Sequence, residues 1–250
     1  MTNPRNDARP TSRGALVLAG VVSLVVGSVV PFGGVLLYPF TLLATWVHEM
    51  GHGVTALALG GGFDRLEIFA DAAGLAHTTG TAEGWPRGLV ALGGLVSPAI
   101  AGAVVLAGAR GARRAQVVLA VLSLALLLSL VVWVRSLAGC IAVPLVAFAL
   151  LGVAVWGSPR ERLFLAQFVG LRLAGDTLGR GLSYAFADAA IIDGTRRPSD
   201  IAAVAAGFGG PRLGWSLVVA VVCIAFVGVG LFAAWRRPRQ RLRSARLPPA

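Results

Sequence analysis

Leu42-Leu43-Ala44-Thr45-Trp46-Val47-His48-Glu49-Met50-Gly51-His52-Gly53-Val54 is an apolar run broken by three ionisable side chains within five residues. On a helix, residues four apart share a face, so His48 and His52 present two imidazole nitrogens to one zinc ion while Glu49 stands beside them as the base for an attacking water. With three histidines and four glutamates in 250 residues, shuffled order would yield this HExxH pattern in about one chain in a thousand. The blander alternative is a polar patch in which histidines hydrogen-bond between helices; it accounts for burial but not for the spacing.

The rest of the chain fixes the setting. Apolar residues make up 56% of it and charged residues 13%, with a mean hydropathy of +0.79, which marks an all-α polytopic membrane protein and excludes an ordinary soluble domain. All 22 basic residues are arginine, the signature of a GC-rich, bacterial type of codon usage, and a plasma-membrane location follows as the expectation. The net charge of +11 gathers at the ends and in short loops, where arginine meets anionic lipid headgroups; no motif points to nucleic acid. Cys140 and Cys223 fall in apolar runs and act as small hydrophobes.

Residues 1–13 read as a disordered tail and 236–250, with six arginines from Arg236 to Arg246, as a polybasic one. Between them lies a single membrane domain, 14–235. Six spans are predicted at about 14–31, 39–60, 88–108, 115–135, 138–157 and 213–235, with a weaker run, 163–182, that carries Arg172, Asp176 and Arg180. Pro31 and Gly33-Gly34 end the first span, and the second starts near Pro39. Residues 63–80 alternate polar with apolar around a turn at Asp71 to Gly74, predicting a small β-hairpin at the membrane. Placing both tails in the cytoplasm needs an even number of spans, yet with these six the Arg110 to Arg114 cluster falls on the opposite side.

A catalytic zinc commonly takes three protein ligands, so a third is sought among the C-terminal carboxylates Asp176, Asp188, Asp193 and Asp200. Asp176 shares a helix face with Arg172 and Arg180, which neutralise it; Asp193-Gly194 reads equally as a turn, and Asp200 as a helix N-cap. His77, in the return strand, reads as a solvent-facing residue with no fixed distance to a metal.

These features resemble the site-2 proteases, the intramembrane zinc metalloproteases. The HExxH helix, its Gly60-Gly61-Gly62 exit into a hairpin and a distant aspartate are similar to a short bacterial branch, in which a Ser-Asp-Ala sequence precedes apolar residues, a glycine break, a proline and a tryptophan. Here the run is Ser199-Asp200-Ile201, Ala205-Ala206-Gly207, Pro211 and Trp215, with isoleucine in place of alanine. The Asn-Pro-rich Leu-Asp-Gly sequence of the larger members is missing, although Ile192-Asp193-Gly194 is similar to its end. The resemblance implies Asp200 as third ligand with Asp193 next, Glu49 as catalytic base, a Zn2+ cofactor, membrane-embedded protein or peptide substrates, and a hairpin edge that captures an unwound segment. Two rivals remain at this level: a metal-binding membrane protein that cleaves nothing, and an HExxH hydrolase of a lipid or small molecule. An intact Glu49 argues against the first.

Overall fold

The computed structural model describes residues 12–186, 189–192 and 194–236. Most of both tails, with Asp188 and Asp193, lies outside these residues. In order come α1 (Ser12–Ser28), α2 (Gly33–Ala58), β1 (Gly62–Ile68), β2 (Gly74–Thr79), α3 (Trp85–Gly108), α4 (Ala112–Val132), α5 (Leu137–Trp156), α6 (Pro159–Phe186), β3 (Ala189–Ile192), β4 (Thr195–Pro198), α7 (Asp200–Phe208) and α8 (Arg212–Trp235).

Among the described residues four helices, α3, α4, α5 and α8, are each long and apolar enough to cross a membrane. The pair α1 and α2 meets that condition only jointly and is bent by 120° at its break, so it supplies at most a fifth span, one fewer than the predicted six. Two local causes explain the difference. Helix α1 has only 17 residues, and α2 gives up apolar positions to His48, Glu49, His52 and the glycines between and after them. Gly33 and Gly34 do not mark a stop: α2 begins at Gly33, and Pro39 lies inside the helix. Phe32 is left-handed at φ 60, and a Cβ on Gly33 would run into the Val26 carbonyl, so the turn into α2 requires glycine there.

The weak run 163–182 is part of α6, a 28-residue helix that packs on α1, α3, α4 and α8. Its buried stripe, Leu163, Ala166, Gln167, Val169 and Leu173, faces the bundle and explains how a comparatively polar helix occupies the interior. The helix opens with a capping box: the Ser158 N–H donates to Glu161 Oε2 at 2.6 Å, and the Glu161 N–H to Ser158 Oγ at 3.3 Å. These bonds from Ser158 hold the Glu161 carboxyl below its ordinary pKa.

Small residues let α3 touch its neighbours backbone to backbone. A Cβ on Gly102 would sit 2.8 Å from the Gly170 oxygen of α6, and one on Gly230 of α8 would sit 2.6 Å from Ala103 Cα. In lipid, where exclusion of water gives helices no reason to associate, such close van der Waals fit is the main cohesive term. Buried polar bonds add to it. Trp46 Nε1 donates to Ser129 Oγ at 2.8 Å between α2 and α4, and Gln167 Nε2 donates to the Ala109 carbonyl at 3.1 Å.

The predicted hairpin forms as β1 and β2, antiparallel, with Leu66 opposite Ala76 and Glu67 opposite Leu75. Its turn is fastened to α2 by Thr45 Oγ1 and Tyr38 Oη, which donate to the Ala72 and Ala70 carbonyls at 2.7 Å each. The outer edge of β1 is occupied: the Leu66 N–H donates to the Trp133 carbonyl at 2.8 Å, the Arg135 N–H to Leu66 O at 3.0 Å, and Ser136 Oγ bonds both the N–H and the carbonyl of Ile68. Phe63 stacks on Trp133 at 5.0 Å between ring centroids. Among the described residues the edge left open is that of β2. A second two-stranded hairpin, β3 and β4, follows α6, with Gly194 at φ 70 between its strands.

Candidate metal centre

Helix α2 carries His48, Glu49 and His52 near its hairpin end, and α3 runs antiparallel beside it at glycine distance. A Cβ on Gly94 would overlap the His52 ring, and one on Gly93 would overlap the Thr55 hydroxyl, so α3 can lie against the histidine face only with glycine at these places. That approach brings the Val90 carbonyl to 2.9 Å from His52 Nδ1. With Nδ1–H donating to Val90, the neutral ring turns the lone pair of Nε2 toward the site.

The third group arrives from α7. Ser199, buried, is the N-cap of this helix and accepts from the Ala202 N–H at 3.3 Å, which leaves the adjoining Asp200 carboxylate free of capping duty. Asp200 Oδ2 lies 3.0 Å from His48 Nε2 and 3.5 Å from His52 Nε2, and the two Nε2 atoms are 3.1 Å apart. Ligands at 2.0–2.2 Å around a tetrahedral zinc are separated from one another by about 3.4 Å. The donor set and its spacing thus fit a single ion. Among the described residues these three form the only group of at least three His, Cys, Asp or Glu side chains able to do so.

Asp176, on α6, is not part of this group. His77 is not either: its Nε2 pairs with Glu67 Oε2 at 2.7 Å across the hairpin. Rather than standing alone in solvent, it belongs to a charged row with Arg65, whose Nε is 3.4 Å from Glu67 Oε1.

Glu49 is buried, lines the cleft and makes no hydrogen bond to another described residue. The start of β2 presses on it, because a Cβ on Gly74 would lie 2.6 Å from Glu49 Cγ and 2.7 Å from Glu49 Oε1. The cleft, about 650 Å³, runs between β2 on one side and Arg197, Pro198 and α7 on the other, with Glu49, His52 and Asp200 along its wall. Sequence reasoning missed Gly74, Gly94, the Val90 carbonyl and the β4 wall. Gly74 was legible only as a turn residue, and no pattern marks a backbone carbonyl as the partner of a histidine.

Two imidazoles and a carboxylate that could hold a metal ion thus lie beside a buried glutamate inside a bundle of apolar helices. The chain belongs to the Peptidase M50B-like family, within the site-2 proteases: the family model matches residues 15–230, from α1 into α8. The family implies a metallopeptidase, and its members generally depend on zinc. No curated protein and no solved structure matches the chain.

Proposed function

We propose that the protein is an intramembrane zinc endopeptidase in which His48, His52 and Asp200 hold the ion and Glu49 is the general base. The observation that carries this reading is the convergence of the three donor atoms beside a buried glutamate, on a cleft walled by an open strand edge. Held there, a zinc ion would supply a lowered water pKa and polarisation of a peptide carbonyl. Glu49 takes the proton of the attacking water and delivers it to the leaving amine. The Val90 carbonyl keeps His52 in the tautomer that binds, and the glycine contacts of α3 hold its ring in place.

Peptide bonds in a transmembrane helix are sealed in its own hydrogen bonds, so a substrate must unwind before it is cut. The edge of β2 is suited to receive it. Because the N–H and carbonyl of Leu66 point away from β2, alternation along an antiparallel pair turns the N–H and carbonyl of the facing Ala76 outward to the cleft. The natural targets are membrane proteins or peptides with a segment that extends easily, and the setting is a cell membrane crossed several times, with 14–235 as one catalytic domain between basic tails.

The test uses purified protein in lipid vesicles with a labelled transmembrane peptide, a fluorogenic ester and a phospholipid as parallel substrates. Cleavage of the peptide at an internal bond, lost on chelation and restored by zinc, is expected. Metal-dependent turnover of the ester or lipid with an intact peptide would overturn the proteolytic reading.

A further inference from the structure

Helix α7 sorts its side chains by size. Ile201 and Val204 turn inward and pack with Leu95 and Ala99 of α3 and Val219 of α8 in one buried cluster. On its cleft side, beyond Asp200, the helix offers Ala202, Ala203, Ala206 and Gly207, and α3 faces the same cleft with Val90 and Ala91. Where the two helices cross, small residues are required by contact: a Cβ on Gly207 would lie 2.6 Å from the Gly84 carbonyl oxygen, and one on Gly88 would lie 2.8 Å from the Phe208 ring. Ala206, by contrast, is exposed to the cleft, and Ala202 and Ala203 are half-buried along it.

The result is an apolar notch between α3 and α7 that starts at the metal centre. Val90 holds His52 through its carbonyl at 2.9 Å, and Ala203 follows Asp200 by one turn on the same helix face. The notch ends at the crossing, where Gly207 lies seven residues, or about 10 Å of helix, beyond Asp200. Apart from Asp200, the one charged residue that lines the cleft from these two helices is Arg87, and Glu83 holds it at 2.6 Å. Asp64, Arg65 and His77 line the cleft from the hairpin opposite.

A segment added to the edge of β2 lies against this notch. Its side chains alternate between the two faces of the sheet it joins. On β2, Gly74 and Ala76 share the face of the buried Leu66 and Ile68, which is turned to the bundle, whereas Leu75 and His77 share that of Arg65 and Glu67. Of two successive side chains in the added segment, one therefore points toward the bundle and its notch and the other points away. Lined by alanine and valine, the notch favours a large apolar side chain, which leaves water and covers apolar surface that the chain itself leaves bare.

We infer that the α3–α7 notch is the subsite that selects the substrate: granted the proteolytic reading above, the cut falls beside a leucine or phenylalanine whose side chain lies on Ala203 and Ala206, and the residue on the other side of the cut is not selected. Ala203 and Ala206 set specificity without touching the reacting atoms.

The test uses the zinc-loaded full chain in vesicles with a labelled transmembrane peptide. The cut is mapped by mass spectrometry, and the two residues flanking it are replaced in turn by Ala, Leu and Phe. At one position Leu and Phe should exceed Ala by at least about tenfold in kcat/KM, since one methylene in an apolar pocket is worth about 10- to 200-fold. At the other position the three should agree within about threefold, the range left when a side chain meets no pocket. Ala206→Leu fills the notch from an exposed position and should reduce the preference to less than about threefold, with the Ala peptide cut at the wild-type rate and zinc content unchanged. Equal rates for all peptides in the wild type, a preference that survives Ala206→Leu, or an equal loss on every peptide overturns the inference. A second readout needs no cleavage. p-Benzoylphenylalanine, scanned along the peptide and irradiated with Glu49→Gln, should crosslink from one position to residues 202–207 of α7 or 87–91 of α3; crosslinks confined to other segments overturn the subsite. Peptides left intact by the wild type count against the proteolytic reading, and the crosslinks then decide the notch by themselves.

Discussion

Gly74→Ala is the sharpest probe of how the hairpin positions the base. The added methyl would lie 2.6 Å from both Glu49 Cγ and Thr45 Cγ2, where ordinary contact begins at 3.4 Å. Strand, glutamate or both must therefore retreat by about 0.8 Å, and overpacking of this kind costs about 1–3 kcal/mol. Misplacement of a reacting group by about 1 Å can cost about a hundredfold in rate. None of the three donor atoms is among the nearest neighbours of that methyl. The expected outcome is a fall of about 10- to 100-fold in kcat/KM, or about 1.4–2.8 kcal/mol of transition-state stabilisation, with zinc content unchanged. The assay is cleavage of a labelled transmembrane peptide in vesicles, with metal measured by atomic emission on the same preparation. Gly20→Ala, which meets nothing within 4 Å, serves as the control. Full activity of Gly74→Ala in a folded protein would refute the argument that β2 fixes Glu49.

Asp200→Ala should lower zinc affinity by more than tenfold and abolish cleavage, whereas Asp176→Asn, outside the donor group, should keep its metal; equilibrium dialysis against zinc distinguishes them. Ala76→Pro removes an N–H that faces the cleft rather than β1, so cleavage of a transmembrane peptide should drop with metal retained; Ile68→Pro would instead break the bond to Ser136 and destabilise the hairpin. Trp46→Phe deletes the buried bond to Ser129 and should cost about 1–2 kcal/mol of stability in a denaturant titration, without changing zinc stoichiometry.

The parts of the account that were legible in the sequence are those written in local spacing. His48, Glu49 and His52 depend on one helical turn, and the β1–β2 hairpin on alternation around a turn, so both could be read directly. Asp200 lies 148 residues beyond His52 and was reachable only through the Ser-Asp resemblance; nothing local shows that Ser199 takes the capping bond. The break before α2 was misread because paired glycines signal a stop and a start equally well, and the clash with Val26 that requires Gly33 is a tertiary contact. Helix α6 was underrated because its arginines and aspartate mask the buried stripe. The open edge of the hairpin was out of reach for the same kind of reason: Trp133 to Ser136 closes β1 from 68 residues away, in a turn without strand character.

The central claim is that one metal ion sits on His48, His52 and Asp200 with Glu49 acting on water and not on the ion. Zinc content and peptide cleavage, measured together on wild type and Glu49→Gln in the same vesicles, test it most directly. The account predicts one zinc per chain in both proteins and cleavage by the wild type alone. Undiminished cleavage by Glu49→Gln, or a wild type that cleaves without zinc, would contradict it.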